Sequence, residues 1–158
     1  EDTAKLIRRG YSLPIFEDAY RRLKAAGLTV IVHVILGLPG ESKEQMLETV
    51  RYLGSMHVDG IKLQLLHVLK GTDMADLYES GAFRTLELQE YLELIGNCLK
   101  ILPPETVIHR ISGDGPKSLL IAPEWSGNKR LVLNSIAKYL KENHIYQGMI
   151  LANPVKNI

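Results

Sequence analysis

Residues Leu28–Glu41 read LTVIVHVILGLPGE, and this stretch decides the fold that we predict for the chain. Across positions 29–36 every residue except His33 is β-branched or apolar, which is typical of a strand buried on both faces. A turn rich in glycine and proline ends the strand, and Ser42 with Gln45 has the spacing of a capping box at the start of a helix. These features make up half a βαβ unit, in which ligands bind at the carboxyl end of the strand. The alternative is an ordinary tight turn between a strand and a helix, without a ligand.

The alternation of strands and helices continues along the rest of the sequence. The second predicted strand is Gly60–Val68, and the third is Thr106–Ser112. Helices lie between the strands, so we expect parallel strands with right-handed crossovers. Three strands are too few for a closed barrel, so the residues indicate either a small three-layer α/β domain or part of a larger barrel. The predicted helices run from a cap at Ser12 to Gly27 and over Lys43–Met56, Met74–Glu79, Glu87–Leu102 and Asn128–Glu142.

The composition of the 158 residues predicts a single globular domain, with 46% hydrophobic and 23% charged residues. A net charge of +1 argues neither for nor against a nucleic-acid partner, and the sequence contains no basic block. There is no apolar run of membrane-spanning length and no signal peptide, so we expect a cytoplasmic protein with no membrane partner. One cysteine, Cys98, excludes internal disulfides and an all-cysteine metal site within the chain. Because the sequence begins at Glu1 without methionine, we expect it to be part of a longer protein.

Glycine-containing loops follow all three predicted strands, at Gly37–Glu41, His67–Thr72 and Arg110–Lys117. The carboxyl ends of parallel strands meet at one edge of a sheet, so we expect these loops to form a site together. Loops are polar by default, and that remains the simpler explanation for any one of them.

Three polar residues, His33, Lys62 and Gln64, interrupt otherwise apolar strands. In a sheet covered on one side they simply mark the solvent face, with Lys62 and Gln64 opposite the apolar residues of their strand. In a barrel they point inward, where a lysine without a counter-charge is costly and usually functional.

Further candidates lie near the strand ends. There His67, His109 and Arg110 are placed to contact an anion or a substrate. Three histidines, including His33, also raise the question of a metal site. Strand parity does not make them face one another, so we predict no metal site in this chain.

Beyond these patterns, the sequence resembles a known family. The segments that carry the likeness are HVILGLPGE at His33–Glu41, RRGY at Arg8–Tyr11, GIKLQLLHVLKGT at Gly60–Thr72, PPETVIHRISGDGP at Pro103–Pro116 and LIAPEWSGNK at Leu120–Lys129. They resemble radical S-adenosylmethionine (SAM) enzymes of the YhcC/YtqA-like group. Relatives of that group include oxygen-independent coproporphyrinogen oxidase, the methylthiotransferases and the catalytic Elongator subunit.

The resemblance implies that the chain is the C-terminal half of a partial (βα) barrel. Residues 1–112 would supply βα units with about three parallel strands, and residues 113–158 a C-terminal helical extension, within one domain. Such enzymes hold a [4Fe–4S] cluster with three cysteines that this chain lacks, so the missing N-terminal half of the barrel is the implied partner. The family's GxIxGxxE pattern is matched at Ile35 and Gly37, but His33 replaces its first glycine and Glu41 comes one residue late, so no role is carried over to Glu41. The residues that the resemblance places against the adenine of SAM are Ile35, Leu36, Gly37, Leu66, His67 and Val68.

The implied chemistry is reductive cleavage of SAM by the cluster, which starts radical chemistry on a substrate, either a small molecule or a tRNA. Lys62, Gln64, His67 and Arg110 are the candidates for positioning that substrate, and this chain alone is expected to be inactive. One alternative is a complete small aldolase-like or phosphate-binding enzyme with Lys62 as a Schiff-base lysine. Another is a non-catalytic α/β interaction module. We also expect the chain to self-associate through the edge or the inward face of its first strand, because that strand is apolar and carries no Lys, Glu or Pro.

Overall fold

Three parallel strands form the central sheet in a computed structural model of the chain, which describes residues 2–113 and 115–152. The order β1-β2-β4 places β2 in the middle, and helices connect the strands, so the predicted α/β fold with parallel strands is confirmed. A separate antiparallel pair joins β3 to β5. The strands are β1 (Ile31–Leu36), β2 (Gly60–Leu65), β3 (Val68–Leu69), β4 (Val107–Arg110) and β5 (Leu120–Ala122).

All five predicted helices are present, each within two residues of its expected limits. The capping box at the start of α3 is confirmed, because the Gln45 amide donates to Ser42 Oγ at 3.2 Å and the Ser42 amide donates to Gln45 Oε1 at 2.8 Å. Within the described ranges, no helix is long and apolar enough to cross a lipid bilayer. The helices are α1 (Asp2–Leu6), α2 (Leu13–Ala25), α3 (Lys43–Ser55), α4 (Asp73–Glu79), α5 (Leu88–Ile101), α6 (Lys129–Glu142) and α7 (Met149–Ala152), with a 3₁₀ turn at Glu124–Gly127.

Strand β1 is buried on one face only, so the expectation of a strand covered on both faces is wrong. Val32, Val34 and Leu36 are buried in the main core, which α3 and α5 complete on the same side of the sheet. No helix among the described residues covers the other face of the sheet, so apolar residues there stay exposed. We call it the open face, and its β1 residues are Ile31, His33 and Ile35.

A register shift between Ile61 and Lys62 changes how β4 meets β2. Both Ile108 and Ile111 pack against the main core, although residues three apart on a regular strand face opposite ways. The shift absorbs the extra residue, so His109 and Arg110 both lie on the open face, and Arg110 pairs with Lys62.

The second predicted strand ends earlier than the sequence indicated. It stops at Leu65, and Val68 belongs to β3, where it pairs with Ala122 of β5. No glycine or proline marks the break, so the apolar run continues through a change of sheet. As a result β5 returns the chain to the sheet edge where β2 and β4 end.

The chain after residue 112 shares the main core with the rest. Val132 and Ile136 of α6 are buried in that core beside α5. Further on, Gln147 Nε2 donates to the carbonyl oxygens of Pro103 and Thr106, at 2.6 and 2.8 Å. These two bonds fasten the C-terminal segment to the connection between α5 and β4.

Candidate functional site

The carboxyl ends of the three parallel strands lie at one edge of the sheet, as predicted. The Leu66 amide donates to the Leu36 carbonyl at 2.9 Å, which holds the end of β2 beside the end of β1. The loop after β4 reaches the same edge, because the Gly115 amide donates to His67 Nδ1 at 3.2 Å. The edge therefore brings together the loops that we expected to form a site.

Gly37, directly after β1, has a φ of 87°, in the left-handed region that glycine tolerates best. Its amide points to Met46 Sδ at 3.0 Å, and the side chain of Leu86 lies 3.1 Å from the position that a Cβ at Gly37 would occupy. Leu86 was not among the predicted site residues, because nothing in its local sequence pattern links it to a strand end 49 residues away. The conformation of Gly37 and its packing both follow from its place at the strand end.

His67 and Val68 diverge after β2. His67 lines a cavity of about 310 Å³ together with Lys117 and Lys129, on the side of the sheet edge closed by the start of α6. Val68 is fully buried, and β3 pairs it with Ala122, so its side chain meets no open space. His67 therefore lies at the smaller of two cavities near the sheet edge, and it does not line the larger one.

A larger cavity of about 520 Å³ runs along the outer edge of β1. Ile35, His33 and Gln64 line it from the open face, and Leu36 lines it from the end of the strand. Glu41 also lines this cavity, where burial raises the pKa of its carboxyl above the usual value against the opposing effect of a hydrogen bond with Thr3. Among the described residues, β1 pairs with β2 alone, so its other edge is open along the cavity.

The open face carries a row of basic residues across the three strands. His33, Lys62 and Arg110 occupy matching register positions on β1, β2 and β4. Gln64 lies next along β2, opposite Ile35. Of the candidates for substrate contact, Lys62, Gln64 and Arg110 therefore share one face, whereas His67 lies beyond the end of β2.

A metal site finds no support in this arrangement. Among residues 2–113 and 115–152, no group of three histidine, cysteine or acidic side chains is placed to hold a metal ion. Cys98 is buried in the core, and burial raises the pKa of its thiol to about 12, which keeps it protonated.

Comparison with known proteins gives related sequences over nearly the whole chain. Residues 58–142 match the family model of the Radical_SAM C-terminal domain. The Bacillus subtilis protein YtqA is 43% identical over 148 residues, covering 94% of this chain and 46% of YtqA. The Escherichia coli K12 protein YhcC is 35% identical over 154 residues, covering 98% of this chain and 50% of YhcC. The chain therefore spans about half the length of these relatives.

A solved structure confirms the fold. The archaeal Methanocaldococcus infernus Elp3, determined with an N-terminal deletion, superposes with a TM-score of 0.76 at 22% identity. The match covers 98% of this chain and 38% of that one. At this identity the likeness concerns the fold alone.

Proposed function

The chain belongs to the radical SAM family through its C-terminal domain, and from this premise we propose that it is the second half of the barrel of a longer radical SAM enzyme. The observation that carries the proposal is the uncovered part of the sheet. One face has no helical layer, and the outer edge of β1 has no partner strand among the described residues. A preceding set of βα units would complete both, and the relatives YtqA and YhcC have about twice the matched length.

The residues present do not fit an iron–sulfur cluster. A [4Fe–4S] cluster of this family needs three cysteine thiolates, and the chain has one cysteine, buried and protonated. We therefore assign the cluster to the preceding half of the enzyme and derive no step through it.

The residues of the cavity beside β1 do fit one side of SAM. We propose that Ile35 lies against the adenine of SAM, because it is 38% exposed on the open face and lines a cavity large enough for a nucleoside. Leu36 and Gly37 would shape the adjoining strand end, and Leu66 holds that end in place through its amide. When bound in the complete enzyme, SAM supplies the reactive group, and this half positions it and excludes water.

The polar residues of the open face suit the substrate side. Lys62 and Gln64 lie on the central strand, and Arg110 is in register with Lys62 on β4. In the proposed barrel these side chains point inward toward the reacting molecule. His67, which lines the smaller cavity, would contact the substrate only from the edge of the sheet.

The cofactor assignment is tested in the full-length protein, reconstituted with iron and sulfide without oxygen. We expect Ile35→Glu to reduce deoxyadenosine formation at least tenfold, because it places a charge against the adenine. Leu133→Glu is the matched control, since Leu133 on α6 is 39% exposed and away from the sheet edge. Equal activity of both variants would overturn the adenine assignment.

The division of labour is tested with this chain alone. We expect no cluster absorption and no SAM binding after reconstitution, because the cysteines and the other half of the cofactor site are missing. A cluster band stoichiometric with this chain would contradict the proposal.

A further inference from the structure

Lys62 is half-buried at the centre of the sheet, and no residue within 2–113 or 115–152 supplies it with a counter-charge. No residue that the structure describes gives its ammonium group a hydrogen bond or an ion pair. By contrast, Lys24 in α2, with a side chain 38% exposed, pairs with Asp59 at 2.6 Å. Because no described residue offers Lys62 an acceptor, the charge of this half-buried lysine is available to an anionic partner.

Two further basic residues lie beside Lys62 on the neighbouring strands. His33 and Arg110 flank it in register, on strands about 4.8 Å away on either side. Basic residues opposite one another on a sheet repel when charged. The residues of β1, β2 and β4 on the open face, all of them described, include no carboxylate. No carboxylate of these three strands therefore competes with an anion for Lys62.

Gln64 supplies a neutral donor beside the charge. It lies two residues after Lys62 on the same face, about 7 Å along the strand. Gln64 is half-buried as a residue, and its side-chain amide likewise has no partner among the described residues. Gln64 also lines the cavity of about 520 Å³, which opens this position to a ligand. The side chains of Lys62 and Gln64 are both long enough to contact the same carboxylate or phosphate group.

We propose that the open face binds the carboxylate or phosphate group of an anionic substrate, with Lys62 as its cationic contact and Gln64 as a second donor. This inference rests on the proposed function for its place in a reaction, because it names the substrate class of the same barrel interior. The anion site itself needs neither SAM nor a cluster. Carboxylate and phosphate share the recognition chemistry, and the experiment below separates them.

The test uses this chain at a concentration at which it sediments as a monomer, so that the open face is accessible. The side-chain amide signal of Gln64 is followed by ¹⁵N-correlated NMR while inorganic phosphate or acetate is added at constant ionic strength. We expect a saturable shift with one of the two anions, which identifies the preferred group. Lys62→Gln should weaken binding at least tenfold, and Lys62→Arg, which keeps the charge, should bind within about threefold of the parent chain.

Lys100→Gln is the control, because Lys100 is also half-buried but lies at the end of α5, away from the sheet. It should leave the affinity unchanged. A shift that does not saturate with either anion would overturn the proposal, and so would equal binding by the parent and by Lys62→Gln. Because no SAM or cluster is present, a failure here leaves the radical SAM proposal intact, and a failure of that proposal leaves this result intact.

Discussion

The side chain of Leu86 fills the space that a side chain at Gly37 would need, with its Cδ1 3.1 Å from the position of an added Cβ. The tight contact comes on top of a backbone conformation with φ of 87°. Gly37 is therefore fixed by the protein's own packing. Loss of function in a Gly37 variant would need a stability measurement before it could be attributed to SAM.

We predict that Gly37→Ala lowers the free energy of unfolding by about 2–3 kcal/mol, from backbone strain plus crowding. Gly71→Ala is the matched control, because Gly71 has a similar φ of 76° but nothing within 4 Å of an added Cβ. Its cost should be about 1 kcal/mol, from strain alone. Urea unfolding of both variants measures the difference, and equal losses would show that Leu86 does not crowd the site.

Gln147→Ala should destabilise the chain by about 1–3 kcal/mol. Its side chain donates two hydrogen bonds to carbonyl oxygens of the segment between α5 and β4, and both would be lost. Gln147→Glu should lower the free energy of unfolding more at pH 7 than at pH 4. At pH 7 the carboxylate repels the two carbonyl oxygens, whereas a protonated carboxyl group can still donate a hydrogen bond to one of them. Thermal unfolding at the two pH values is the measurement. Gln89→Ala, at an exposed bond on α5, serves as the control and should change little.

Acid should remove the contribution of Glu90. Hydrogen bonds from Arg84, followed by one from the Glu87 amide, lower the pKa of Glu90 to about 2. A pKa lowered on folding stabilises the protein above the unfolded value of 4.5, and this contribution is lost as the pH falls toward 2. The Glu90 side chain is 40% exposed, so solvent screening limits the effect at pH 7 to about 1 kcal/mol or less.

The measurement compares Glu90→Gln with the parent chain by denaturant unfolding between pH 7 and pH 2. The variant should be less stable at pH 7, and the two curves should converge near pH 2. Glu142→Gln, which removes an exposed carboxylate 3.8 Å from Lys138, should show a smaller difference throughout. A gap that widens on acidification would contradict the assigned direction.

Cys98 should be unreactive in the folded chain. Its thiol is fully buried with a pKa of about 12, so the thiolate that attacks a disulfide reagent is scarce at pH 8. We expect modification by Ellman's reagent to follow the rate of unfolding, and to become complete in denaturant. Rapid reaction without denaturant would mean that α5 opens far more easily than its burial indicates.

We propose that the isolated chain self-associates through the outer edge or the open face of β1. The edge lacks a partner strand among the described residues, and Ile31 beside it is 36% exposed. Ile31→Lys should shift the chain toward monomer in sedimentation at micromolar concentration, because a charge discourages strand pairing. Leu133→Lys, on α6, changes a side chain of similar exposure and should not. A monomeric parent chain would defeat this proposal.

The fold followed from the sequence wherever a local pattern carried the information. The apolar run before Gly37 predicts the strand, and the spacing of Ser42 and Gln45 predicts the helix cap. Burial on one face of β1 could not be predicted, because the exposed face is as apolar as the buried one apart from His33. The end of β2 was missed because Val68 pairs with Ala122, and a partner 54 residues later leaves no trace in a local window.

The candidate site was predictable to a similar extent. Parallel strands guaranteed a shared edge, so the loops were placed correctly from topology alone. The alignment of Lys62 with Arg110 depends on the register shift between β2 and β4, and no glycine or proline lies at the shifted residues to predict it. The separation of His67 from the larger cavity could not be predicted either, because it depends on β2 ending at Leu65.

The position of β1 at the border of the sheet has a consequence for amide hydrogen exchange. The carbonyl oxygens of Val30 and Leu36 accept hydrogen bonds from the amides of Gly60 and Leu66, so both residues face β2. The even-numbered residues between them therefore also direct their amides toward β2. The amides of Ile31, His33 and Ile35 then point away from β2. In the monomeric chain, deuterium should enter these three positions much faster than the amides of Val32 and Val34, so protection would alternate along a single strand. In a longer protein with a strand docked at this border, the alternation should disappear.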